Sequence, residues 1–185
     1  MTAWPPVFGS RMGSCWAFTG CVDVWSKVWN AVTYGNGKFV AVDSTGYFAT
    51  STDGNDWTLI SFAESRAWAA VAWGGGKFVT LSSGLPIGGG GNTYGAALSP
   101  DGATWTAVPI TGDTCSGWSA VVYGNDKFVA VANSGTNRAM FSTDGTTWTA
   151  QGALAGVAAN SWTSVAWSGT NFCAGTPFNT TLTLF

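Results

Sequence analysis

Residues 29–42 read WNAVTYGNGKFVAV, and the same pattern returns three more times along the chain. Each copy begins with a tryptophan, has an aromatic residue five positions later, and passes through a glycine-containing turn to a phenylalanine. The copies start at Trp29, Trp68, Trp118 and Trp162, so successive starts are 39, 50 and 44 residues apart. Self-similarity at this spacing predicts a chain of equivalent structural units.

A second motif follows the first in three of the four units. It reads STDGNDW at residues 51–57, SPDGATW at 99–105 and STDGTTW at 142–148. The glycine-rich turn and the Asp-Gly turn each separate two β-rich runs, which predicts two hairpins per unit. Four short strands in about 40–45 residues are typical of a β-propeller blade. We therefore predict an all-β, propeller-like fold of about four four-stranded blades.

The units predict one repeat domain over residues 1–185. Blades 1, 2 and 3 cover residues 29–58, 68–106 and 118–149, and residues 162–185 begin blade 4. Residues 17–26 align on 49–58, with Trp25 on Trp57 and Cys21 at the aspartate position. We therefore expect residues 1–26 to form an N-terminal arm that completes and closes the last blade. The alternative is an open arc of blades that a further chain completes.

The composition excludes several classes of function. Charged residues make up 9% of the 185 residues, with 7 Lys and Arg against 9 Asp and Glu, so no basic surface for nucleic acid is expected. The chain has no histidine, which removes the commonest general base and metal ligand. No metal site and no cofactor are expected.

The remaining segments give little sign of targeting or redox chemistry. No cationic and apolar leader opens the chain and no long apolar run is present, so neither a signal peptide nor membrane insertion is expected. The four cysteines form no CxxC pair. Cys15 and Cys21 are close enough in sequence for a disulfide, and free thiols are the alternative.

The Asp-Gly motif resembles the Asp-box of sialidase-like (BNR) propellers, Ser/Thr-x-Asp-Gly-x-x-Trp. In that family the box lies away from the catalytic centre, which implies a structural role for three pairs of residues: Asp53 with Trp57, Asp101 with Trp105, and Asp144 with Trp148. The arginines and the single glutamate do not match the family's catalytic residues; they are Arg11, Arg66, Arg138 and Glu64. We therefore expect no catalytic residues and no enzyme, with glycoside hydrolysis as the weakest hypothesis.

Two features could form a binding surface. The first is the aromatic residue five positions after each leading tryptophan: Tyr34, Trp73, Tyr123 and Trp167. Rings at equivalent heights could stack on the apolar face of a sugar, or they could fill the space between blades. The second is the insertion at residues 82–95, which includes Tyr94. It could carry specificity or be an inert connection.

The glycine-turn motif together with the Asp-box is similar to repeats of bacteriophage virion proteins, particularly those associated with tails and host recognition. The resemblance implies a virion location, other virion proteins as partners, and cell-surface glycan as ligand. The leading hypothesis is a tail or fibre module that binds glycan. The alternative is a purely structural virion protein that decorates a capsid or connects tail parts. Its exposed apolar surface would then be buried in a homo-oligomer or by a larger neighbour.

Overall fold

The computed structural model describes residues 26–63, 66–84, 94–110, 117–135, 138–151, 161–177 and 183–184. Every element in these ranges is a β-strand. Blade 1 holds β1 (Trp29–Gly35), β2 (Lys38–Asp43), β3 (Tyr47–Ser51) and β4 (Thr58–Ser61). Blade 2 holds β5 (Trp68–Gly74), β6 (Lys77–Ser82), β7 (Tyr94–Ser99) and β8 (Thr106–Pro109). Blade 3 holds β9 (Trp118–Gly124), β10 (Lys127–Ala132), β11 (Ala139–Ser142) and β12 (Thr149–Gln151). Blade 4 holds β13 (Ser164–Trp167), β14 (Phe172–Gly175) and β15 (Thr183–Leu184).

Each blade is one antiparallel sheet in which neighbouring strands follow chain order. The first three sheets have four strands, and the fourth has three among the described residues. This arrangement confirms the all-β fold of about four blades. Among the described residues no helix has the length and apolar character needed to cross a lipid bilayer.

Tight turns join the first two strands of the first three blades. In blade 1, Gly35 pairs with Lys38, and the residues between them have positive φ: 49° at Asn36 and 74° at Gly37. Two consecutive positive φ angles give a turn whose twist matches that of the flanking strands. The residue pairs Gly75-Gly76 and Asn125-Asp126 repeat these angles in blades 2 and 3. The Gly and Asn content of the sequence therefore specifies the hairpins.

The hydrophobic core lies between the sheets. One cluster joins blades 1 and 2 around Phe48, Trp68 and Trp105, and a second joins blades 2 and 3 around Leu81, Trp118 and Trp148. A smaller cluster joins blades 3 and 4 around Val131, Trp162 and Ala174. The first strands of consecutive blades contact each other, β1 with β5, β5 with β9, and β9 with β13. The described sheets pack in this series and are not closed into a ring.

In blades 1, 2 and 3 the first strand ends in a glycine. The aromatic ring of the next blade packs on this glycine. A Cβ atom at Gly35 would overlap the indole of Trp73, and one at Gly74 would overlap the ring of Tyr123. Gly124 lies under Trp167 in the same way. The same ring-on-glycine contact therefore recurs at all three junctions. Only glycine allows this contact, because it has no Cβ.

The last blade takes its third strand from the end of the described chain. Thr183 and Leu184 form β15, which pairs with β14 through Ala174 and Cys173. This third position is where the alignment of residues 17–26 placed the arm. Apart from Ser26, the arm of residues 1–26 lies outside the described residues.

Substituting Gly74 by alanine tests the glycine contact. The added methyl group would overlap the ring of Tyr123, so Gly74→Ala should lower the free energy of unfolding by roughly 1–3 kcal/mol. Urea denaturation followed by tryptophan fluorescence measures the change. Gly84→Ala is the matched control because a Cβ at Gly84 meets nothing within 4 Å. Equal stability of the two variants would contradict the contact.

Candidate functional site: the aspartate turns and the aromatic row

Three turns between the third and fourth strands share one hydrogen-bond pattern, and we call residues 51–57, 99–105 and 142–148 the aspartate turns. In blade 2, the Asp101 carboxylate accepts the N–H groups of Ala103 and Thr104, both at 2.8 Å. The Ser99 hydroxyl donates to Asp101 at 3.0 Å and accepts the N–H of Gly102 at 2.7 Å. One carboxylate and one hydroxyl thus satisfy most of the donors of the turn.

Blades 1 and 3 repeat this pattern. Asp53 accepts the N–H groups of Asn55 at 2.9 Å and Asp56 at 3.0 Å. Asp144 accepts those of Thr146 at 2.7 Å and Thr147 at 2.8 Å. The three carboxylates therefore cap their own turns.

The tryptophan that ends each turn folds back onto it. The Trp105 indole N–H donates to the carbonyl of Gly102 at 3.0 Å, and Trp57 and Trp148 make the same bond to Gly54 and Gly145. Trp105 is 8% exposed and stacks on Phe48 of blade 1, with 4.2 Å between ring centroids. The aspartate turns of blades 2 and 3 thus orient a large ring toward the preceding blade.

The hydrogen bonds lower the pKa of all three aspartates. The N–H groups of Thr104 and Ala103 hold the pKa of Asp101 at about 2, against an ordinary value of 3.8. The hydroxyl of Thr146 and the N–H of Thr147 lower the pKa of Asp144, and the N–H groups of Asp56 and Asn55 lower that of Asp53. Each carboxylate is thus kept ionised at neutral pH, which suits an anionic cap rather than a proton donor.

The aspartate turns also contact the preceding blade. A Cβ at Gly102 would lie 2.8 Å from Val40 of blade 1, and one at Gly145 would lie 2.8 Å from Leu98 of blade 2. The Lys77 ammonium donates to the carbonyl of Asp144 at 2.9 Å, and the Asn36 side chain donates to the carbonyl of Pro100 at 3.3 Å. The turns are therefore part of the junctions between blades.

The four candidate aromatic residues occupy one register position in consecutive blades, and we call them the aromatic row. Each pairs with the phenylalanine of the second strand, and the ring centroids are 4.8, 4.5, 4.8 and 4.4 Å apart for Tyr34–Phe39, Trp73–Phe78, Tyr123–Phe128 and Trp167–Phe172. Three members rest on the glycine of the preceding blade and are partly buried. Tyr34 has no blade before it among the described residues and is 58% exposed.

The structure does not bring the other sequence candidate into this row. Tyr94 opens β7 opposite Pro109, and residues 85–93 of the insertion lie outside the described residues. Cys15 and Cys21 also lie outside them, while Cys173 is a free thiol in β14. The described residues hold no group of three or more Cys, Asp or Glu that could bind a metal.

Blade 1 carries a hydrophobic groove that the sequence did not predict. It has a volume of about 410 Å³ and is lined by Lys27, Trp29, Asn30, Ala31, Val32, Ala41 and Trp57. The Lys27 ammonium lies 3.4 Å from the centroid of the Tyr47 ring beside it. The repeat alignment could have indicated this groove. Val32 and Trp57 are apolar residues at the positions of Val71 and Trp105, which are buried in blade 2.

The arrangement matches solved structures of propeller proteins. The computationally designed protein Ika4 matches with a TM-score of 0.60 at 12% identity, over 86% of this chain and 91% of that chain. A catalytically inactive virginiamycin B lyase from Staphylococcus aureus, solved with quinupristin, matches with a TM-score of 0.66 at 13% identity, over 85% and 55%. YCF48 from Cyanidioschyzon merolae matches with a TM-score of 0.54 at 15% identity, over 85% and 56%. No protein-family model and no curated protein matches the chain.

These likenesses, together with the repeated blades, define a β-propeller repeat fold. The chain spans a little over half the length of the lyase and of YCF48. At identities of 12–15% the matches concern the fold alone.

The caps predict a loss of stability in acid. Because the pKa of Asp101 is lower in the folded chain than in the unfolded chain, its contribution is present above about pH 4 and is lost as pH falls toward 2. Asp101→Ala should lower the free energy of unfolding at pH 7 by about 1 kcal/mol and reduce its fall between pH 4 and 2. Denaturant titrations at several pH values measure both effects. The exposed Asp56→Ala is the control, and an unchanged pH profile in Asp101→Ala would contradict the cap.

Proposed function

We propose that this protein is a non-catalytic recognition module of a bacteriophage particle, and that it binds cell-surface glycan through the aromatic row. One observation carries the proposal: four aromatic rings stand at the same register position in consecutive blades. A location on a phage particle is supported by two resemblances. The turns resemble the Asp-box, and the repeats resemble those of phage tail and virion proteins.

A sugar ring suits such a row because its C–H face is apolar while its rim is polar. Aromatic side chains offer a rigid apolar surface at a low cost in conformational entropy. Tyr34 exposes more than half of its surface, and the partly buried Trp73, Tyr123 and Trp167 follow at one-blade intervals. A row of this kind favours an extended oligosaccharide over a single sugar, since each blade adds one stacking position.

The aspartates favour binding without catalysis. Each carboxylate of the aspartate turns is held by two backbone N–H groups and one serine hydroxyl of its own turn. An acid that donates a proton to a leaving group needs a raised pKa, whereas these aspartates have lowered ones. We therefore assign the three aspartates to the scaffold that supports the binding surface.

Among the structural neighbours, the lyase was solved with quinupristin and a YCF48 structure carries a D1 peptide. Two of the similar propellers were thus solved with a bound molecule. For this chain, the aromatic composition of the row is what favours glycan.

A second candidate function is a structural role in the virion. The exposed apolar residues of blade 1 favour it, because Val28, Val32 and Tyr34 are 63, 60 and 58% exposed. Another virion protein or another copy of this chain could cover them within the particle. This role requires no small ligand.

Glycan binding by a Tyr34 variant tests the proposal. The wild-type chain should bind a subset of bacterial surface oligosaccharides on a glycan array. Tyr34→Ala should weaken binding by about tenfold, because the loss of one stacking contact costs about 1 kcal/mol or slightly more. Val28→Ala removes an equally exposed apolar residue outside the row and should leave binding unchanged. Isothermal titration with the best glycan gives the affinities.

Two results would contradict the glycan proposal. The first is an array without any bound glycan, which favours the structural role. The second is binding that Tyr34→Ala leaves intact, which places the ligand away from the row. Circular dichroism of each variant confirms that the fold survives the substitution.

A further inference from the structure

Blade 1 presents a face that has the composition of a blade junction. We call the surface formed by Trp29, Val32, Tyr34 and Trp57 the entry face, and the groove of blade 1 is part of it. Val32 is 60% exposed, whereas Val71, at the same position of blade 2, is 7% exposed in the junction with blade 1. The leading tryptophans of blades 2, 3 and 4 are buried, while that of blade 1 is only partly buried. The entry face therefore keeps the residues by which later blades pack on the blade before them.

This composition is unusual for the first unit of a series of repeats. Terminal repeats usually carry a polar outer face, because no further repeat covers them. The aspartate turn of blade 1 also lacks the contact that the later turns make. A Cβ at Gly102 would lie 2.8 Å from Val40 of the preceding blade, whereas among the described residues a Cβ at Gly54 would meet only Phe39 of its own blade within 4 Å. The entry face thus has the form of a junction whose other half is a further blade.

Blade 4 ends the series with a different surface, and we call Ser168, Cys173 and Gly175 the exit face. They occupy the positions by which blades 1, 2 and 3 pack on the next blade: Gly35, Val40 and Val42; Gly74, Val79 and Leu81; Gly124, Val129 and Val131. The exit face holds only small residues, and residues 145–185 contain no charged residue. Because the cores of protein interfaces are depleted of charged residues, this end of the chain can be covered without desolvating a charge.

The two faces lie at the two ends of an arc that resembles half of a larger propeller. The four described sheets are not closed, and 85% of the chain superposes on 55% of the lyase and on 56% of YCF48. A propeller arranges its blades around a central channel. An arc that covers about half of such a chain therefore leaves room for a second arc of the same length. Two arcs give about eight blades, which lies within the usual range of about four to eight.

We propose that two copies of this chain form one closed propeller, in which the entry face of each copy packs on the exit face of the other. Twofold symmetry makes the two junctions equivalent, since each residue pair at one junction recurs at the other. A stable interface buries about 1,200 Å² or more in total, so each junction needs to contribute only about 600 Å².

The second copy also completes the aromatic row. In the closed propeller, Trp167 of one copy is followed by Tyr34 of the other at the next blade position, so the row continues around the channel without an end. Tyr34 then becomes partly buried, as Trp73 is in blade 2. The proposal does not rest on glycan binding, because the faces that pack together are defined by the junctions alone.

The junction between the copies differs from the internal ones under the aromatic ring. Ser168 stands at the position where Gly35 supports the ring of the next blade. Its Cβ would crowd the ring of Tyr34 if this junction copied the internal geometry exactly. Cys173 and Gly175 are smaller than the valine and leucine residues at these positions in earlier blades, which leaves space for the ring to shift. We therefore expect a wider and weaker junction between copies than within one chain, which Ser168→Gly would tighten.

Sedimentation velocity of the full chain over a hundredfold range of protein concentration tests the closed propeller. The wild-type chain should reach twice the mass of one chain and not exceed it, because closure occupies both faces of each copy. Val32→Asp should raise the dissociation constant at least about a hundredfold, because it buries an unpaired charge in the entry face. Thr106→Asp is the matched control, since Thr106 is exposed on the outer strand of blade 2 and away from both faces.

Two substitutions at one exposed position test the exit face with opposite signs. Ser168→Gly should lower the dissociation constant at least about fivefold, because it removes the overlap with the ring of Tyr34. Ser168→Arg should raise the dissociation constant at least about a hundredfold for the same reason as Val32→Asp. Ser168 is exposed in the single chain, so neither substitution disturbs the core of a blade. Circular dichroism of each variant checks that the fold is kept.

Three results would overturn the proposal. A wild-type chain that stays single at every concentration shows that no second copy covers the entry face. A dimer that persists in Ser168→Arg places the contact away from the exit face, as in a pair of entry faces. A mass that keeps growing beyond two chains shows an open series of copies instead of a closed propeller. The wild-type mass and the two Ser168 variants decide the question even if Val32→Asp fails to fold.

Discussion

Each junction between consecutive blades depends on a contact between an aromatic ring and the α-carbon of a glycine in the blade before it. The ring approaches so closely that a single methyl group at Gly35, Gly74 or Gly124 would overlap it. The contact sets the separation of the first strands, and the clusters around Trp68, Trp118 and Trp162 fill the space that remains. A close-packed interior of this kind has little room to adjust, so the glycines define the geometry of the arc.

The aspartate turns fix the outer part of the same junctions. Their carboxylates satisfy backbone donors locally, which leaves Trp105 and Trp148 free to point at the preceding blade while their indole N–H groups stay bonded. The repeat thus uses its few charged residues for local order and its aromatic residues for contacts between blades. Within the described part of the chain, the rings of the aromatic row and the apolar residues of blade 1 stay accessible to solvent.

The sequence predicted the parts of the fold that depend on local chemistry. Positive φ angles at Asn36 and Gly37, and caps at Asp53, Asp101 and Asp144, follow from residues within a few positions of one another. The positions of the aromatic row also follow from the repeat. The unequal exposure of the row does not follow from the repeat, because it depends on packing between blades: Trp73 packs on Gly35 of blade 1, whereas no described blade lies against Tyr34. The third strand of blade 4, Thr183–Leu184, was not foreseen either, since this short segment has no repeat motif to mark it.

A double-mutant cycle between Gly74 and Tyr123 tests the ring-on-glycine contact most directly. If the ring is what excludes a side chain at position 74, Gly74→Ala should be costly in the wild-type background and nearly neutral in the Tyr123→Ala background. We expect a coupling free energy of at least about 1 kcal/mol, which lies in the range for residues in contact. Additive effects within about 0.3 kcal/mol would show that the two residues act independently and that the ring-on-glycine contact does not set the spacing of the blades.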